Sequence, residues 1–322
     1  MRVFAPALCA LALSAASLTV HAQAWPSRPI KLIQAASAGT SGDVAARLFA
    51  ERLQKSLGQP VVVENIAGAA GLIGGQAVAR AAPDGYTLLF AGSATVVSAN
   101  LFFKNVPYDI NRDFTAIANL IEVEPFMLAA SVDQPFKSLG EIIALAKSQP
   151  GKIAYGIEGS PHRLIGLLIA KRAGVDMVEV RYKAGSQSIQ DALSGRTQFM
   201  IASMAATDAL VRSGKMRRIA VASAGRFPGF EDMATVNETL PGIVVDGQYY
   251  LMGPAGMPGD IVRRLNREGE AYVKDAEVIK RLLSVGLKMT ASAGTPESTA
   301  EYLRSERARW EKMTKEVGWV PE

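Results

Sequence analysis

The chain has 322 residues, 49% of them hydrophobic, and carries a net charge of +5 from 35 basic and 30 acidic side chains. That length accommodates two cored domains, and basic residues dispersed without interleaved aromatics argue against a nucleic-acid partner. With one cysteine and two histidines, disulfide scaffolds and multi-histidine or cysteine metal sites are excluded.

The first residues read as an export signal. Arg2 is followed by an apolar run from Val3 to Val20, and Ala22-Gln23-Ala24 is a small-x-small cleavage site. We expect residues 1–24 to be removed and the remainder to work in the periplasm. Cys9 leaves with the signal and lacks lipobox order around it. No later segment reaches the ~18 to 20 apolar residues of a spanning helix.

Strands then alternate with amphipathic helices. Ile30 to Ala35 reads as a buried strand, and Ser41 as the cap of a helix running to Leu57 and stopped by Gly58. Val61–Val63 and Thr87–Phe90 are strands flanking a helix from Gly71 to Ala82, which ends at Pro83-Asp84-Gly85. This βαβαβ order predicts a parallel sheet. Ser138 with Glu141 is a capping box opening a helix that stops before Pro150. Ser160 reads as an N-cap with Pro161 at N1, after a strand at Ile153–Gly156. Val178 to Tyr182, Phe199 to Ala202 and Ile219 to Ala222 are further strands, and Ser186 is a candidate cap for Gln187 to Leu193. Arg212, Lys215, Arg217 and Arg218 form the densest basic patch, read as a solvated turn. The chain closes with helices at Asp260–Val273, at Glu277–Val285 capped by Asp275, and at Pro296–Val317. The absence of a linker suggests strands exchanged between domains, with crossings near Met127–Ala130 and Tyr249–Gly253. The division is then 25–126 plus 250–322 for a discontinuous domain 1 and 127–249 for domain 2.

Little in the sequence supports catalysis. His162 is the only histidine after residue 24, and neither a Gly-x-Ser-x-Gly elbow nor a Ser-x-x-Lys pair is present. Gly68, Gly71 and Gly74 superficially resemble a dinucleotide loop but lack its Gly-x-Gly start. No cofactor and no metal are expected. Binding is better supported. Small polar loops follow four strands, where open α/β sheets bind ligands. They supply Ser37, Gly39, Thr40, Ser41 and Asp43; Ser93 and Thr95; Gly159, Ser160 and His162; and Gly185. Backbone N–H groups and hydroxyls there can converge on an anion. His162 could donate from the cleft wall, and Arg181 could clamp a carboxylate. Glu158 in such a loop would repel an anion or meet a ligand amine.

Several blocks closely resemble one family, the solute-binding proteins of tripartite tricarboxylate transport systems, or Bug proteins. They are Trp25-Pro26-Ser27-Arg28-Pro29-Ile30, Gly58-Gln59-Pro60-Val61-Val62-Val63-Glu64-Asn65 and Ala82-Pro83-Asp84-Gly85-Tyr86-Thr87-Leu88. Further matches are Val106-Pro107-Tyr108-Asp109, Tyr182-Lys183, Asp191-Ala192-Leu193-Ser194-Gly195, Ala234-Thr235-Val236 and Pro254-Ala255-Gly256-Met257-Pro258. The resemblance implies a two-domain periplasmic-binding-protein-like (type II) α/β fold, with parallel-rich sheets, flanking helices and a hinge crossed by two strands. It also implies a clamp that captures a small carboxylate and presents it to membrane permease subunits; the expected ligand is a small organic acid or, from Glu158, an amino-acid-like molecule, and the default state of a clamp is a monomer. Family contacts fall in the loop after the first strand, around Gly159 and Ser160, and near Gly185 and Ser203. The chain departs from the family in those loops: its first loop lacks prolines, the loop before His162 is shorter, Arg181 replaces a proline, and Gln248 takes a place often aromatic. A ligand sensor docking on a signalling partner and an exported hydrolase remain as alternatives.

Overall fold

The computed structural model describes residues 25–322; the expected signal segment, Cys9 and its cleavage site lie outside the described residues. Strand β1 (Ile30–Gln34) has the burial of a two-sided parallel strand, with only Lys31 exposed. It leads to helix α1 (Ser41–Leu57), ended by Gly58 at φ 67°. Then follow β2 (Val61–Asn65), a 3-10 turn at Ala69–Gly71, α2 (Leu72–Ala79), β3 (Thr87–Gly92) and the short helices α3 (Ser93–Val96) and α4 (Ala99–Phe102). Both β2 and β3 pair with β1 in parallel, as the βαβαβ order predicts. The second helix is shorter than expected mainly at its end, which comes at Ala79 with Arg80 as C-cap, while Gly71 at φ 91° is its N-cap.

An 18-residue strand, β4 (Phe114–Ser131), runs through the middle of the molecule. Beyond it come α5 (Leu139–Ser148), β5 (Ala154–Ile157), α6 (Ser160–Ala173), β6 (Val178–Arg181), α7 (Gly185–Leu193), β7 (Phe199–Ser203), α8 (Met204–Arg212), β8 (Met216–Val221) and α9 (Val236–Thr239). The chain returns through β9 (Asp246–Pro254) and continues as α10 (Gly259–Val273), α11 (Ala276–Ser284), β10 (Lys288–Met289) and α12 (Pro296–Glu316). The strand order is β2-β1-β3-β9-β4-β7-β5-β6, with β8 and β10 also on β4. The chain is thus a mixed α/β sheet with flanking helices.

The register of β4 divides this sheet. From Phe114 to Pro125 it pairs with β9, and from Phe126 onward it pairs with β7 and β8. Pro125 has no N–H for the ladder, so the change of partner falls where a pairing weakens. One apolar core lies beneath α1, α10 and α11, centred on Phe49, Leu265 and Tyr272, and another beneath α8. The third extends across both halves beneath α12, from Phe102 and Trp310 to Leu164 and Phe199. The end of the chain adds to that bridge. Arg172 of α6 makes a bidentate ion pair with Glu316, and the Trp319 ring packs tilted against Phe102 at 4.9 Å while Arg163 lies 4.5 Å over the Trp319 ring.

Several caps sit one residue from their expected place. Thr40, not Ser41, caps α1, its hydroxyl accepting from the Asp43 N–H at 3.3 Å. Gly159, not Ser160, is the N-cap of α6, and α7 starts at Gly185 with no side-chain cap, so Ser186 lies inside it. Ser138 caps α5, but Glu141 accepts from the Lys137 N–H rather than closing the box. Asp275 caps α11 as expected, and Thr295 caps α12. Arg217 and Arg218 belong to β8 rather than a turn, and Arg218 pairs with Asp208 at 2.6 Å.

Candidate functional site

The carboxyl ends of β1 and β3, the loop after β2 and the amino end of β9 enclose a cavity of about 380 Å³. Its wall carries Gln34, Ser37 and Thr40 from the first loop, Gly68, Ala70 and Gly71 from the second, Ser93 and Thr95 after β3, and Gly247 to Tyr249. Phe126 and Pro161 close it from the β5–β7 side. Four of the candidate residues, Ser37, Thr40, Ser93 and Thr95, therefore share one surface. No lysine, arginine, aspartate or glutamate is among the lining residues.

The first loop is held in shape by Asp43, which is buried. One carboxylate oxygen accepts from the Gly39 N–H at 2.9 Å and from Arg47 Nε at 3.0 Å; the other accepts from Asn65 Nδ2 at 2.9 Å. Burial opposes its ionisation, but the hydrogen bonds from Arg47, Gly39 and Asn65 outweigh it and hold the carboxyl below its usual range. Asp43 and Gly39 thus fix the loop that presents Ser37 and Thr40, while Ser41 begins the helix beside them.

Gln34 is the donor that sequence reasoning missed. Its side chain is 1% exposed, it lines the cavity, and its Nε2 has no hydrogen-bond acceptor among the described residues. A buried amide N–H without an acceptor costs about 1–3 kcal/mol, so this group is poised for an oxygen that the protein does not supply. It stands beside the amino end of α1. A Cβ added at Gly42 would fall 2.6 Å from the Tyr249 hydroxyl and closer still to Gln34 Nε2. Ala69 and Ala70 at φ 46° and 54° form the floor's other edge, and such strain in non-glycine residues gathers at ligand clamps.

Behind the wall lies a buried polar network. Gln248 Nε2 donates to Glu306 at 3.0 Å and to the Tyr302 hydroxyl at 3.1 Å, while Gln248 Oε1 accepts from Tyr250 at 2.6 Å. At the start of β9, burial pushes Asp246 up to about 7, with Arg309 opposing from 3.8 Å.

The other candidates surround the opposite side. Ser203 pairs in register with Phe126, and Gly159 and Ser160 precede the lining residue Pro161. His162 stands behind that wall, its ring 4.7 Å from the Phe126 ring and edge-on to it. Both ring nitrogens are buried without partners, and desolvation lowers its pKa to about 4. Gly185 opens α7 beneath the Glu158 side chain. Arg181 does not line the cavity; it pairs with Glu179 at 2.5 Å and Glu322 at 2.9 Å. Among the described residues no group of three or more His, Cys, Asp or Glu gathers as a metal site, and no helix is long and apolar enough to cross a membrane.

Comparison with known proteins places this geometry. The sequence model of the family described as "Tripartite tricarboxylate transporter family receptor" matches residues 45–319. A UPF0065 protein of Bordetella bronchiseptica is 36% identical over 99% of this chain and 93% of its own. The structure described as "R. palustris Rpa4515 with adipate" superposes with a TM-score of 0.82 at 29% identity, covering 92% of this chain and 100% of that one. The periplasmic binding protein BugD superposes with a TM-score of 0.78 at 28% identity, covering 92% and 100% respectively. The chain belongs to the tripartite tricarboxylate transporter receptor family, the group that includes the Bug proteins, and is a solute-binding protein rather than an enzyme.

Proposed function

We propose that this protein captures a small carboxylate in the periplasm by closing over it and hands it to the membrane permease of a tripartite tricarboxylate transporter. The observation that carries the reading is the unpaired, buried amide of Gln34 facing a 380 Å³ cavity whose polar lining is wholly neutral. Neutral donors bind a carboxylate through charge-assisted hydrogen bonds without the desolvation that a buried arginine would add. The ligands of two structural neighbours, adipate in Rpa4515 and malate in MatC from Rhodopseudomonas palustris, are of this chemical class.

The strand topology supports closure. In this reading, residues 25–126 with 250–322 form one lobe and 127–249 the other, supported by the change of partners along β4 between Pro125 and Phe126. Ser37, Thr40, Ser93 and Thr95 hold the carboxylate on the first lobe; Gly159, Ser160 and Ser203 meet it from the second. A ligand that touches both lobes favours the closed form by its extra contacts there. The monomer carries the complete cleft. The leader expected at residues 1–24 would deliver the chain to the periplasm.

Thermal-shift measurements across mono-, di- and tricarboxylates test this, because a ligand of the folded state alone raises the melting temperature by mass action. We expect a concentration-dependent rise with at least one carboxylate, lost in Gln34→Leu. A protein that ignores every carboxylate but responds to uncharged sugars would refute the proposal.

A further inference from the structure

Outside the neutral lining, three residues before Pro161, the rim on the β5–β7 side carries a carboxylate, Glu158, that would oppose a dicarboxylate. Strands β5, β6 and β7 run parallel, so the loops at their carboxyl ends lie on one edge. That edge reaches the cavity through Phe126 and Pro161. Its arginines are already engaged: Arg163 with Glu179 at 3.1 Å and Glu322 at 3.2 Å, and Arg181 with the same two acids. Glu158, between β5 and α6, is different. It reaches solvent, and among the described residues it makes no ion pair and no hydrogen bond. Crowding alone acts on it, raising its pKa.

Its position also takes space from an anion. A Cβ added at Gly185 would meet the Glu158 carboxyl carbon at 3.1 Å and one of its oxygens closer still. The carboxylate therefore covers the amino end of α7, the place on this wall where backbone N–H groups would otherwise favour negative charge. Lys183, in the neighbouring loop, is exposed and forms no ion pair with it. Glu158 is therefore an unpaired carboxylate on this rim, and the unpaired Lys183 does not reach it.

We propose that Glu158 selects a ligand bearing a protonated amino group in addition to its carboxylate, so that the chain binds an amino-acid-like zwitterion in preference to a dicarboxylate. The inference rests on the carboxylate reading above and names the substrate class within it. The carboxylate end is held by the neutral donors around Gln34, and the amino end meets Glu158 as the lobes close. A second carboxylate in that place would face a like charge across a few ångströms, which in a partly desolvated cleft lowers affinity by about tenfold or more.

Calorimetric titration with ligands matched in length tests the assignment. The set is butyrate, succinate and 4-aminobutyrate, with their five- and six-carbon counterparts, against the wild-type protein and Glu158→Gln. We expect the wild type to favour the amino acid over the diacid of the same length by about tenfold or more. Glu158→Gln should abolish or reverse that preference, and Glu158→Asp, which keeps the charge, should retain it. The loop is exposed, and circular dichroism confirms that each variant is folded. A wild type that binds the diacid as tightly as the amino acid, or a preference unchanged in Glu158→Gln, overturns the inference while leaving the carboxylate anchor intact. Failure of all nine compounds, simple monoacids included, to bind either protein overturns the anchor itself and this inference with it.

Discussion

Substituting Gly42 by alanine separates the ligand anchor from the fold. Gly42 lies in the first turn of α1, where alanine gains about 0.5–1 kcal/mol of helix propensity over glycine in a helix interior. The new methyl would stand 2.6 Å from the Tyr249 hydroxyl and closer to Gln34 Nε2. The obstacles are the Gln34 amide and the Tyr249 ring edge, whose Cε1 also stands 2.6 Å away; all are side-chain atoms beside a 380 Å³ cavity, so we expect them to shift by about 1 Å before the backbone does. The overpacking cost of about 1–3 kcal/mol is then partly offset by propensity, and we expect the melting temperature to change by only a few degrees. Binding should suffer more. A charge-assisted hydrogen bond misplaced by that distance forfeits about 1.5–3 kcal/mol, which raises Kd roughly 10- to 100-fold. The assay is calorimetric titration with whichever carboxylate gives the largest thermal shift, beside a melt of the same sample. A Kd within twofold of wild type in a folded Gly42→Ala protein would refute the claim that the Gln34 amide anchors the ligand.

Two buried groups should give opposing pH dependences. Asp246, raised from 3.8 to about 7, binds its proton more tightly folded than unfolded, so its contribution is full below pH 4 and is lost as pH rises toward 7. His162, lowered from 6.5 to about 4, contributes fully above pH 6.5 and loses that as pH falls toward 4. The two changes are worth roughly 4 and 3 kcal/mol respectively, and they largely offset one another between pH 4 and 6.5. Urea melts of His162→Leu should therefore show stability falling with rising pH, and those of Asp246→Asn the reverse; flat profiles in both would contradict this assignment. Trp319→Ala removes a ring that contacts Phe102 of α4 and Arg163 of α6. We expect a loss of about 2–3 kcal/mol and a larger radius of gyration in ligand-free small-angle scattering. Gly166→Ala should destabilise by about 1–3 kcal/mol without touching affinity, because its Cβ would strike the buried Tyr155 ring away from the cavity. A Kd shifted with it would show that the two regions are coupled.

The βαβαβ half of the fold is readable in the sequence because its signals are local. Buried runs such as Ile30 to Gln34 and terminators such as Gly58 act within a few residues. Caps were displaced by one position for the same local reason: Thr40 and Ser41 are adjacent hydroxyls, and only the φ/ψ of the turn decides which is helical. Ser37, Thr40, Ser93 and Thr95 were found because small polar residues after strands mark a ligand loop. Gln34, Tyr249 and Phe126 were not, since each reads locally as an ordinary strand residue. Their role comes from a cavity assembled by β1, β4 and β9, whose contacts are distant in sequence. Ala69 and Ala70 were equally silent, as nothing in alanine announces a positive φ.

The placement of chemistry on the two sides of the cleft argues for how such a receptor acquires specificity. On one wall, the donors are a glutamine amide, hydroxyls and helix ends fixed by the core and by Asp43. In the proposed reading any carboxylate would satisfy them, and altering them disturbs the loop that α1 depends on. On the other, Glu158 sits on an exposed loop with no partner to lose. Changing its charge alters what the closed state accepts at little cost to folding. A clamp divided in this way keeps a general carboxylate grip on one lobe and confines selectivity to side chains that meet the ligand last. Its discrimination would then appear in the stability of the closed complex, and so in dissociation rates, more than in the first encounter.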